Sequence, residues 1–532
     1  MRKGWFMGIR AWVAAFLTVL LLAAPATAQK VLHRGNGSEP ETLDPHKSTG
    51  EPEGWIQYDL FEGLMTVDGA GNLIPGAAES YTVSPDGLTY TFKLRDTVWS
   101  DGTPVTAEDF AFSWRRLLDP KTGSRYAFFL WPVKNAEKAN KGEVPLSEVG
   151  VAAPDPRTFV VTLEAPTSYF ASALQHNATY AISKKSYEKH GEDFIKPGNL
   201  VSNGAFMLVE AVPQGYVRVR KNPRYWDAAN VRLDEVVFHA TENRDTELKR
   251  FRAGELHLTY DVPDPQIPWL KQNMPAELRI APFFSTYYYA FNLTREPWKS
   301  NPDLRKALAL AIDRTIITEK ITLSGEVPAY QLVPDGTANY ASPKPEWASW
   351  TQSQRDTEAR RLVEAAGYGK GGKPLEVELF YNTSENHKKV AVAVASMWQQ
   401  KLGVRTVMNN QEWKVFLQTR SRKQYRDIAL GRWVGDYNDA YTFLGLFLSD
   451  LGPSNYSGYA SPEYDRLVRA ASSEVDAEKR RDLLQRAEAV LLADLPIIPV
   501  YIYTTQNMVS PRVKGWVPNI RNLHPSRFLD LN

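Results

Sequence analysis

One acidic residue stands in a segment rich in glycine and aromatic residues, 431–438, directly after the apolar run 428–430. This residue is Asp436, and the rings of Trp433 and Tyr437 flank it in the sequence. A carboxylate between aromatic rings is a good receptor for an ammonium group, because a charge-assisted hydrogen bond contributes about 1.5–3 kcal/mol once water is excluded. Taken alone, the segment favours a plainer interpretation, a solvated loop acid.

Several strings are typical of enzymes, but their context favours structural roles. Ser186 and Lys189 fit the S-x-x-K of serine acyl-enzymes, and residues 121–123 fit their K-T-G. In those enzymes the K-T-G follows the serine, whereas here it precedes it. Residues 367–372 match G-x-G-x-x-G but follow a helical pattern, so a helix C-cap and a turn explain them better. We therefore expect no catalytic residue.

The histidines and cysteines indicate no metal site and no cofactor. The eight histidines include no H-E-x-x-H and no other i, i+4 pair, and the chain has no cysteine. His387 differs from the other histidines because it lies in a polar loop that follows an apolar strand pattern. It is either a ligand-binding residue or a helix-start residue, and the sequence leaves both interpretations open.

Strand-like and helix-like patterns alternate along the chain, which is typical of mixed α/β lobes. Residues 89–94 alternate polar and apolar side chains and predict a half-buried strand. Thr106 and Asp109 then form the two arms of a capping box, which predicts a helix that ends at Asp119 before a proline.

A second unit predicts an edge where a ligand can bind. Residues 375–381 alternate as a strand, the polar loop 382–387 leads into a helix with Gly403 as its C-cap, and residues 404–407 form another strand. In such a βαβ unit, ligands bind at the loop that follows the first strand. The loop that begins at Asn382 is therefore a candidate ligand edge.

The N-terminus predicts export. Basic residues precede an apolar run of 14 residues, and a small-x-small pattern ends at residue 28, which predicts a cleaved signal peptide over residues 1–28. Without its three basic residues the formal net charge changes from +2 to −1. A nearly neutral chain gives no electrostatic footprint for nucleic acid or acidic lipid. We expect a soluble periplasmic protein, and its 532 residues predict two or three lobes.

The strings, taken in order, resemble the periplasmic solute-binding proteins of peptide ABC importers, in particular the oligopeptide-binding proteins. Strings typical of the wider family occur at residues 36–40, 43–46, 59–64, 99–107, 201–206 and 222–226. Strings more specific to oligopeptide binders occur at residues 286–289, 382–389 and 410–414. The resemblance extends from about residue 31 to near the C-terminus.

The resemblance implies an α/β fold, a two-lobed periplasmic-binding-protein clamp of type II, in the large peptide-binding class with an extra inserted domain. Lobe I would comprise residues 29–61, 184–284 and 504–532, with the inserted domain at 62–183. Lobe II would comprise residues 285–503. The ligand would lie between the lobes, which close around it by a hinge motion.

The resemblance also implies how a peptide is held. Asp436 would bind the α-ammonium group, and the peptide would lie extended like an added strand beside Tyr126, Trp433 and the backbone around Gly431 and Gly435. The basic residues His387, Arg420 and Arg432 are the candidate partners for the terminal carboxylate of the peptide. The full set of predicted binding residues is Ser38, Tyr126, Asn382, His387, Arg420, Gly431, Arg432, Trp433, Gly435, Asp436, Tyr437 and Asn438.

The chain departs from the pattern of the oligopeptide binders at five positions. Ser285 and Val434 stand where a cysteine pair is expected, and Leu430 replaces an arginine that holds the far end of the peptide. Thr49 and Thr322 replace an acidic residue and a lysine. A relative dedicated to murein tripeptide, to a dipeptide or to a metal chelate is therefore an alternative to a general oligopeptide receptor.

The expected partners are short peptides and an inner-membrane ABC permease with its ATPase subunits, and the protein is expected to be a monomer that binds no nucleic acid. Two rivals come from other classes. A periplasmic hydrolase would need a base near Ser186, which the sequence does not supply. A chaperone-like binder of unfolded chains predicts that acetylation of a peptide's amino end leaves its affinity unchanged.

Overall fold

The computed structural model describes residues 29–167, 169–369, 372–474 and 476–532. The predicted signal peptide, residues 1–28, lies outside the described residues. None of the helices in the described ranges is long and apolar enough to cross a membrane. The α-helices are Glu51–Leu60, Ala107–Leu118, Ala136–Asn140, Phe170–Ala173, Lys184–His190, Arg244–Arg252, Ile267–Asn273, Pro302–Ala311, Arg314–Ile316, Gln352–Ala365, Glu385–Leu402, Trp413–Ser421, Tyr441–Leu444, Pro462–Ser473 and Ala477–Asp494.

The first of three larger sheets draws its strands from distant parts of the chain. In spatial order they are Val31–Gly35, Glu235–His239, Tyr216–Lys221 and Phe206–Val212. The first pair is parallel and the other pairs are antiparallel. Val217 and Val219 are buried while the arginines beside them are not, so one face of the sheet covers a hydrophobic core.

The second sheet is antiparallel and lies within residues 78–162. Its strands are, in spatial order, Ala78–Val83, Thr89–Leu94, Thr158–Thr162 and Val151–Asp155. The predicted strand 89–94 is confirmed. Two short ribbons complete the strands, Met65–Val67 with Leu73–Pro75 and Val513–Lys514 with Asp530–Leu531.

The helix Ala107–Leu118 begins as the sequence predicts. Asp109 Oδ2 accepts hydrogen bonds from the backbone nitrogen of Thr106 at 2.9 Å and from its hydroxyl at 3.0 Å. Phe110 and Trp114 are fully buried on one face of the helix. The capping box and the apolar face together fix this helix at the core of residues 62–183.

The third sheet has six strands and carries most of the candidate site. In spatial order they are Val327–Pro328, Ile497–Met508, Leu278–Phe291, Ile428–Val434, Glu376–Asn382 and Arg405–Gln411. The strand Ile428–Val434 is antiparallel to Leu278–Phe291 and parallel to Glu376–Asn382. The segment that contains Asp436 therefore follows a central strand.

The predicted βαβ unit is confirmed with one change. The strands Glu376–Asn382 and Arg405–Gln411 are parallel neighbours, and the helix Glu385–Leu402 connects them. The polar loop is shorter than the predicted segment 382–387. Ser384 caps the helix, since its hydroxyl accepts from the backbone nitrogen of His387 at 3.4 Å, and His387 therefore lies in the first helical turn.

Two neighbouring strands cross the predicted boundaries between the lobes. Leu278–Phe291 and Ile497–Met508 pair antiparallel, and the boundaries at 284/285 and 503/504 fall inside them. Their register shifts between Pro282 and Thr286, and such an irregularity bends a strand and increases its twist. The domain boundaries remain a prediction, and this bend is where a hinge between the lobes would lie.

Candidate ligand-binding cleft

A cleft of about 1470 Å³, its open mouth included, lies between residues of all the predicted lobes. Its lining residues range from Gly37 to Leu523, so segments from both ends of the chain meet around it. Eight of the twelve predicted binding residues line it: Ser38, Tyr126, Asn382, His387, Arg420, Arg432, Trp433 and Asp436.

The carboxylate of Asp436 is held by two polar neighbours. Thr442 donates its hydroxyl to Asp436 Oδ2 at 3.2 Å, and the same hydroxyl accepts from the Asp436 backbone nitrogen at 3.1 Å. His176 Nε2 lies 3.2 Å from Asp436 Oδ1, and both side chains are 9% exposed. Among the described residues, no lysine or arginine forms an ion pair with Asp436. The site therefore holds an oriented, largely buried negative charge without a cationic side chain against it.

His176 is a part of the site that the sequence reasoning missed. Its ring packs against both Tyr126 and Phe129, at centroid distances of 4.6 and 4.5 Å. The backbone nitrogen of Ala178 donates to His176 Nδ1 at 3.2 Å. The proton of the neutral ring therefore lies on Nε2 and is donated to Asp436.

Aromatic rings flank Asp436 on both sides. Trp433 stacks with Tyr126 on the cleft side, with centroids 6.1 Å apart, and donates its indole N–H to Thr442 at 3.3 Å. Burial, followed by the Asp436 carboxylate, raises the pKa of the Tyr126 phenol well above its ordinary value, so the hydroxyl stays neutral. Tyr437 stacks on Tyr169 at 5.2 Å and lines a second cavity behind Asp436 instead of the cleft.

The two glycines of the predicted set have packing roles. A Cβ on Gly431 would lie 2.0 Å from the ring of Tyr288, and one on Gly435 would lie 2.1 Å from the ring of Phe284. Neither glycine lines the cleft. Each is required because an aromatic ring occupies the space of its side chain.

Three further residues in or beside this segment have contacts that stabilise the fold. Asn438 is exposed and accepts from the backbone nitrogen of Ala338 at 3.0 Å, away from the cleft. Ser285 and Val434, which replace the expected cysteine pair, face each other as cross-strand partners. Ser285 donates its hydroxyl to the Trp433 carbonyl at 2.7 Å, so a hydrogen bond joins the two strands at this point.

One edge of the strand Ile428–Val434 is free in the cleft. In the described part of the chain, this strand pairs with Glu376–Asn382 at Ile428 and Ala429, and the pairing does not continue beyond Ala429. The Leu430 carbonyl points to this free edge, where it accepts from Arg420 Nη1 at 3.1 Å. Because alternate residues of a strand point their backbone groups to the same edge, those of Arg432 and Val434 face the cleft as well.

Arg420 is a cation without an anionic partner. Its guanidinium lies 4.0 Å from the centroid of the Tyr456 ring and 4.8 Å from that of Phe416. The residue is 6% exposed, and no carboxylate lies within ion-pairing distance among the described residues. A buried guanidinium of this kind is suited to bind a carboxylate of a ligand.

The other two candidates for the terminal carboxylate are less available. Arg432 forms an ion pair with Glu51 at 2.8 Å, and Tyr260 donates its hydroxyl to the same Glu51 oxygen at 3.0 Å. Burial, with the guanidinium groups of Arg244 and Arg432, holds the pKa of His387 well below its ordinary value. His387 therefore offers a hydrogen bond but no positive charge at neutral pH.

The remaining predicted residues that line the cleft are Ser38 and Asn382. Asn382 is 8% exposed and ends the first strand of the βαβ unit, as the ligand-edge prediction requires. Ser186 of the serine-enzyme string lies outside the cleft. It donates its hydroxyl to the Asn199 carbonyl at 2.8 Å, a contact that stabilises the local fold.

Comparison with known proteins agrees with this geometry. Residues 72–455 match the model described as bacterial extracellular solute-binding proteins, family 5 Middle. The periplasmic oligopeptide-binding protein OppA of Salmonella typhimurium is 40% identical over 518 residues, which cover 94% of each chain. The chain belongs to family 5 of the bacterial extracellular solute-binding proteins. The family and this relative are binding proteins rather than enzymes.

Solved structures of the family share the fold. OppA of Haemophilus influenzae in complex with RPPGFSPFR gives a TM-score of 0.92 at 38% identity, with 95% of this chain and 99% of that chain covered. The Escherichia coli murein tripeptide binding protein MppA gives 0.92 at 37% identity with the same coverage. The predicted fold class, a two-lobed α/β clamp with an inserted domain, is confirmed.

The lobes are in the closed arrangement. The unliganded open form of MppA gives a TM-score of only 0.67, at 38% identity and with 95% of this chain and 98% of that chain covered. Contacts across the cleft agree with closure, among them the His176–Asp436 and Arg432–Glu51 pairs. The described site is therefore the one that a bound ligand would contact from both sides.

Proposed function

We propose that this protein captures short peptides with a free amino end and delivers them to the permease of an ABC importer. The observation that carries the proposal is Asp436, a buried carboxylate in the cleft that forms no ion pair with a lysine or arginine in the part of the chain that the structure describes. A peptide's α-ammonium group supplies the missing charge, and an aromatic site that excludes water strengthens the resulting hydrogen bonds. Its relatives include an oligopeptide-binding protein and a murein tripeptide-binding protein, which supports the same class of ligand.

The free strand edge determines how the peptide lies. An extended chain that runs from Asp436 toward Leu430 adds to the edge where Arg432 and Val434 present their backbone groups. Hydrogen bonds of this kind form with any residue, so they allow a broad range of side chains. Water-filled space around the ligand then adapts to different side chains at little cost.

Arg420 receives the far end of the peptide. Its guanidinium bonds to the Leu430 carbonyl at the other end of the free edge and keeps its remaining donors for a carboxylate. With a rise of about 3.3 Å per residue, the edge from Leu430 to Val434 matches a ligand of roughly three to five residues. The arginine that Leu430 replaces is thus not needed for a peptide of this length.

We place the protein in the periplasm, after removal of residues 1–28, and as a monomer. The named relatives are periplasmic proteins. The permease and its ATPase subunits are the partners that the family implies, and two closed lobes would present a joint surface to them. No charge pattern supports nucleic acid as a partner.

Mass spectrometry of small molecules released by denaturation of the purified protein tests the proposal. Mixed peptides of roughly three to five residues are the expected result. A single mass that matches murein tripeptide would instead establish the dedicated alternative. The Asp436→Asn variant, purified in parallel, should release far less peptide, and equal amounts from both proteins, or no peptide from either, would contradict the amine-binding site.

A further inference from the structure

Four arginines of the described ranges line the cleft, and two of them pair with a described carboxylate. Arg432 pairs with Glu51 at 2.8 Å, and Arg244 pairs with Asp261 at 2.6 Å. Among the described residues, Arg420 and Arg521 have no carboxylate within ion-pairing distance. The cleft therefore contains two positive charges that its own side chains leave uncompensated.

The carboxylates of the cleft do not balance these two charges. The lining carboxylates besides Glu51 are Glu242, Glu247 and Asp436. Glu242 is exposed to solvent, which screens its charge. Burial raises the pKa of Glu247 to about 8, so it is largely protonated at neutral pH. Asp436 alone is left as an inner anion, and a ligand that neutralises the cleft carries one ammonium group and two carboxylates.

Arg521 lies close to the amine-binding end of the cleft. The Phe284 backbone nitrogen donates to the Ile520 carbonyl at 2.8 Å, and the Gly435 backbone nitrogen donates to the Phe284 carbonyl at 2.7 Å. Hydrogen-bonded neighbouring chains are about 4.8 Å apart, so the backbones of Arg521 and Asp436 are separated by roughly 10 Å.

Tyr58 lines the same cleft as Asp436 and Arg521, and both charges act on its phenol. Burial raises the pKa of its phenol, the Asp436 carboxylate adds to that rise and the Arg521 guanidinium opposes it. Arg521 Nη1 donates to the amide oxygen of Gln175, while its Nε has no partner. The guanidinium is thus positioned by a neutral group and retains donors for an anion.

We propose that Arg521 binds a side-chain carboxylate near the amino end of the peptide, so that the preferred ligands are acidic peptides with Asp or Glu as their first or second residue. The proposal rests on the proposed peptide-binding function and adds a specificity to it. Asp436 receives the ammonium group, Arg420 the terminal carboxylate and Arg521 the additional carboxylate. A basic side chain at the same position is disfavoured by repulsion.

The effect on affinity follows from the strength of a charge-assisted hydrogen bond in a partly buried site. An acidic peptide should bind about ten- to a hundred-fold more tightly than its amide counterpart. The preference should weaken in high salt, because the residue is only partly buried.

Calorimetric titration of the ligand-stripped, refolded protein tests the proposal. The peptides are Glu-Ala-Ala and Ala-Glu-Ala, each compared with its Gln counterpart, and Ala-Ala-Ala serves as the neutral reference. In the wild type at least one Glu peptide should bind at least ten-fold more tightly than its Gln counterpart. In Arg521→Gln that ratio should fall below about three-fold. The matched control is Arg420→Gln, which should weaken both members of a pair and retain their ratio.

Each other outcome overturns the inference. Equal affinity of the wild type for Glu and Gln peptides would show that the protein has no preference for acidic peptides. This result does not depend on whether the variant folds. A preference that persists in Arg521→Gln assigns it to another residue. A loss in Arg521→Gln that is equal for acidic and neutral peptides indicates that Arg521 only compensates the charge of Asp436. If Ala-Ala-Ala binds normally, the proposed function survives each of these results, whereas a wild type that binds none of the peptides contradicts both.

Discussion

The imidazole of His176 and the carboxylate of Asp436 meet across the cleft, with Nε2 and Oδ1 3.2 Å apart. His176 lies within the predicted inserted domain and Asp436 within predicted lobe II, 260 residues later in the chain. Such a contact forms only when the two sides of the cleft approach each other. The same hydrogen bond therefore orients the amine-binding carboxylate and stabilises the closed arrangement.

Replacement of His176 by Phe should weaken peptide binding about ten-fold, because a hydrogen bond to a charged group contributes on the order of 1.5–3 kcal/mol. The phenyl ring keeps the packing against Tyr126 and Phe129 and removes the hydrogen-bond donor. Calorimetry with Ala-Ala-Ala measures the change, and the thermal midpoint of the ligand-free variant serves as the folding control. Wild-type affinity in a folded variant would show that the contact does not assist binding.

Loss of the charge on Asp436 should have a larger effect. The Asp436→Asn variant should bind Ala-Ala-Ala at least a hundred-fold more weakly than the wild type, since the ammonium group would be buried without its anion. N-acetylation of the peptide should weaken binding to the wild type by a similar factor. In the variant, acetylation should have little further effect, because both changes remove the same interaction.

The chaperone-like alternative predicts the opposite result for the acetylated peptide. A binder that recognises only the extended backbone holds free and acetylated peptides equally well. Equal affinity of the wild type for both peptides would therefore contradict amine capture. Asp439→Asn is a suitable comparison, since Asp439 forms an ion pair with Arg480 at 2.7 Å outside the cleft.

Amidation of the peptide's carboxyl end tests Arg420. Ala-Ala-Ala-NH₂ should bind the wild type about ten-fold more weakly than Ala-Ala-Ala, because a bond between two charges becomes one to a neutral amide. In Arg420→Gln the two peptides should bind with nearly equal affinity. If amidation still weakens binding to this variant, another cation receives the carboxylate, and Arg432 is the next arginine to replace.

The sequence predicted the parts of the fold and the site that depend on local pattern. The strand at 89–94 and the capping box at Thr106 follow from side-chain spacing and local hydrogen bonds, which tertiary contacts did not override. An acid among aromatic residues is an unusual local combination that draws attention to Asp436, but the cleft positions of Asp436 and Trp433 were predicted from the resemblance to peptide-binding proteins. The ligand edge at Asn382 followed from the order of strand, loop, helix and strand.

The sequence could not predict residues whose roles arise from contacts between distant segments. Nothing near His176 or Arg521 indicates a binding site, because each acquires its role from a partner hundreds of residues away in the chain. The packing roles of the glycines arise in the same way. The resemblance places the backbone around Gly431 and Gly435 beside the peptide, and the sequence does not show that each glycine also makes room for an aromatic ring of the neighbouring strand.

Methylation of single peptide nitrogens tests the free strand edge. An added strand uses backbone N–H groups at alternate positions, so methylation should weaken binding strongly at every second residue of Ala-Ala-Ala-Ala and weakly at the others. Each lost hydrogen bond leaves a carbonyl of the strand without its donor, which should reduce affinity about ten-fold. A uniform small effect at all positions would indicate that the ligand does not pair with Arg432 and Val434.

The buried carboxyl of Glu247 predicts a pH dependence of stability. Burial raises its pKa to about 8 in the folded protein, despite a hydrogen bond from the Tyr260 backbone nitrogen at 2.8 Å, whereas an unfolded Glu has a pKa near 4.3. Between these values the folded chain keeps a proton that the unfolded chain has released. The resulting stabilisation is complete below about pH 4 and is lost as the pH rises through 8.

Replacement of Glu247 by Gln removes this titration and keeps a side chain of similar shape. Relative to the wild type, the variant should be more stable at pH 9 than at pH 6 by at least about 1 kcal/mol, because only the wild type must bury a charge at high pH. Urea unfolding of both ligand-free proteins at the two pH values measures this difference. Other groups titrate in both proteins and cancel in the comparison. Glu188→Gln, at an exposed position of the helix Lys184–His190, should leave the pH dependence as it is in the wild type. An unchanged dependence in Glu247→Gln would show that this carboxyl is ionised in the fold, and the charge balance of the cleft would then contain a second inner anion.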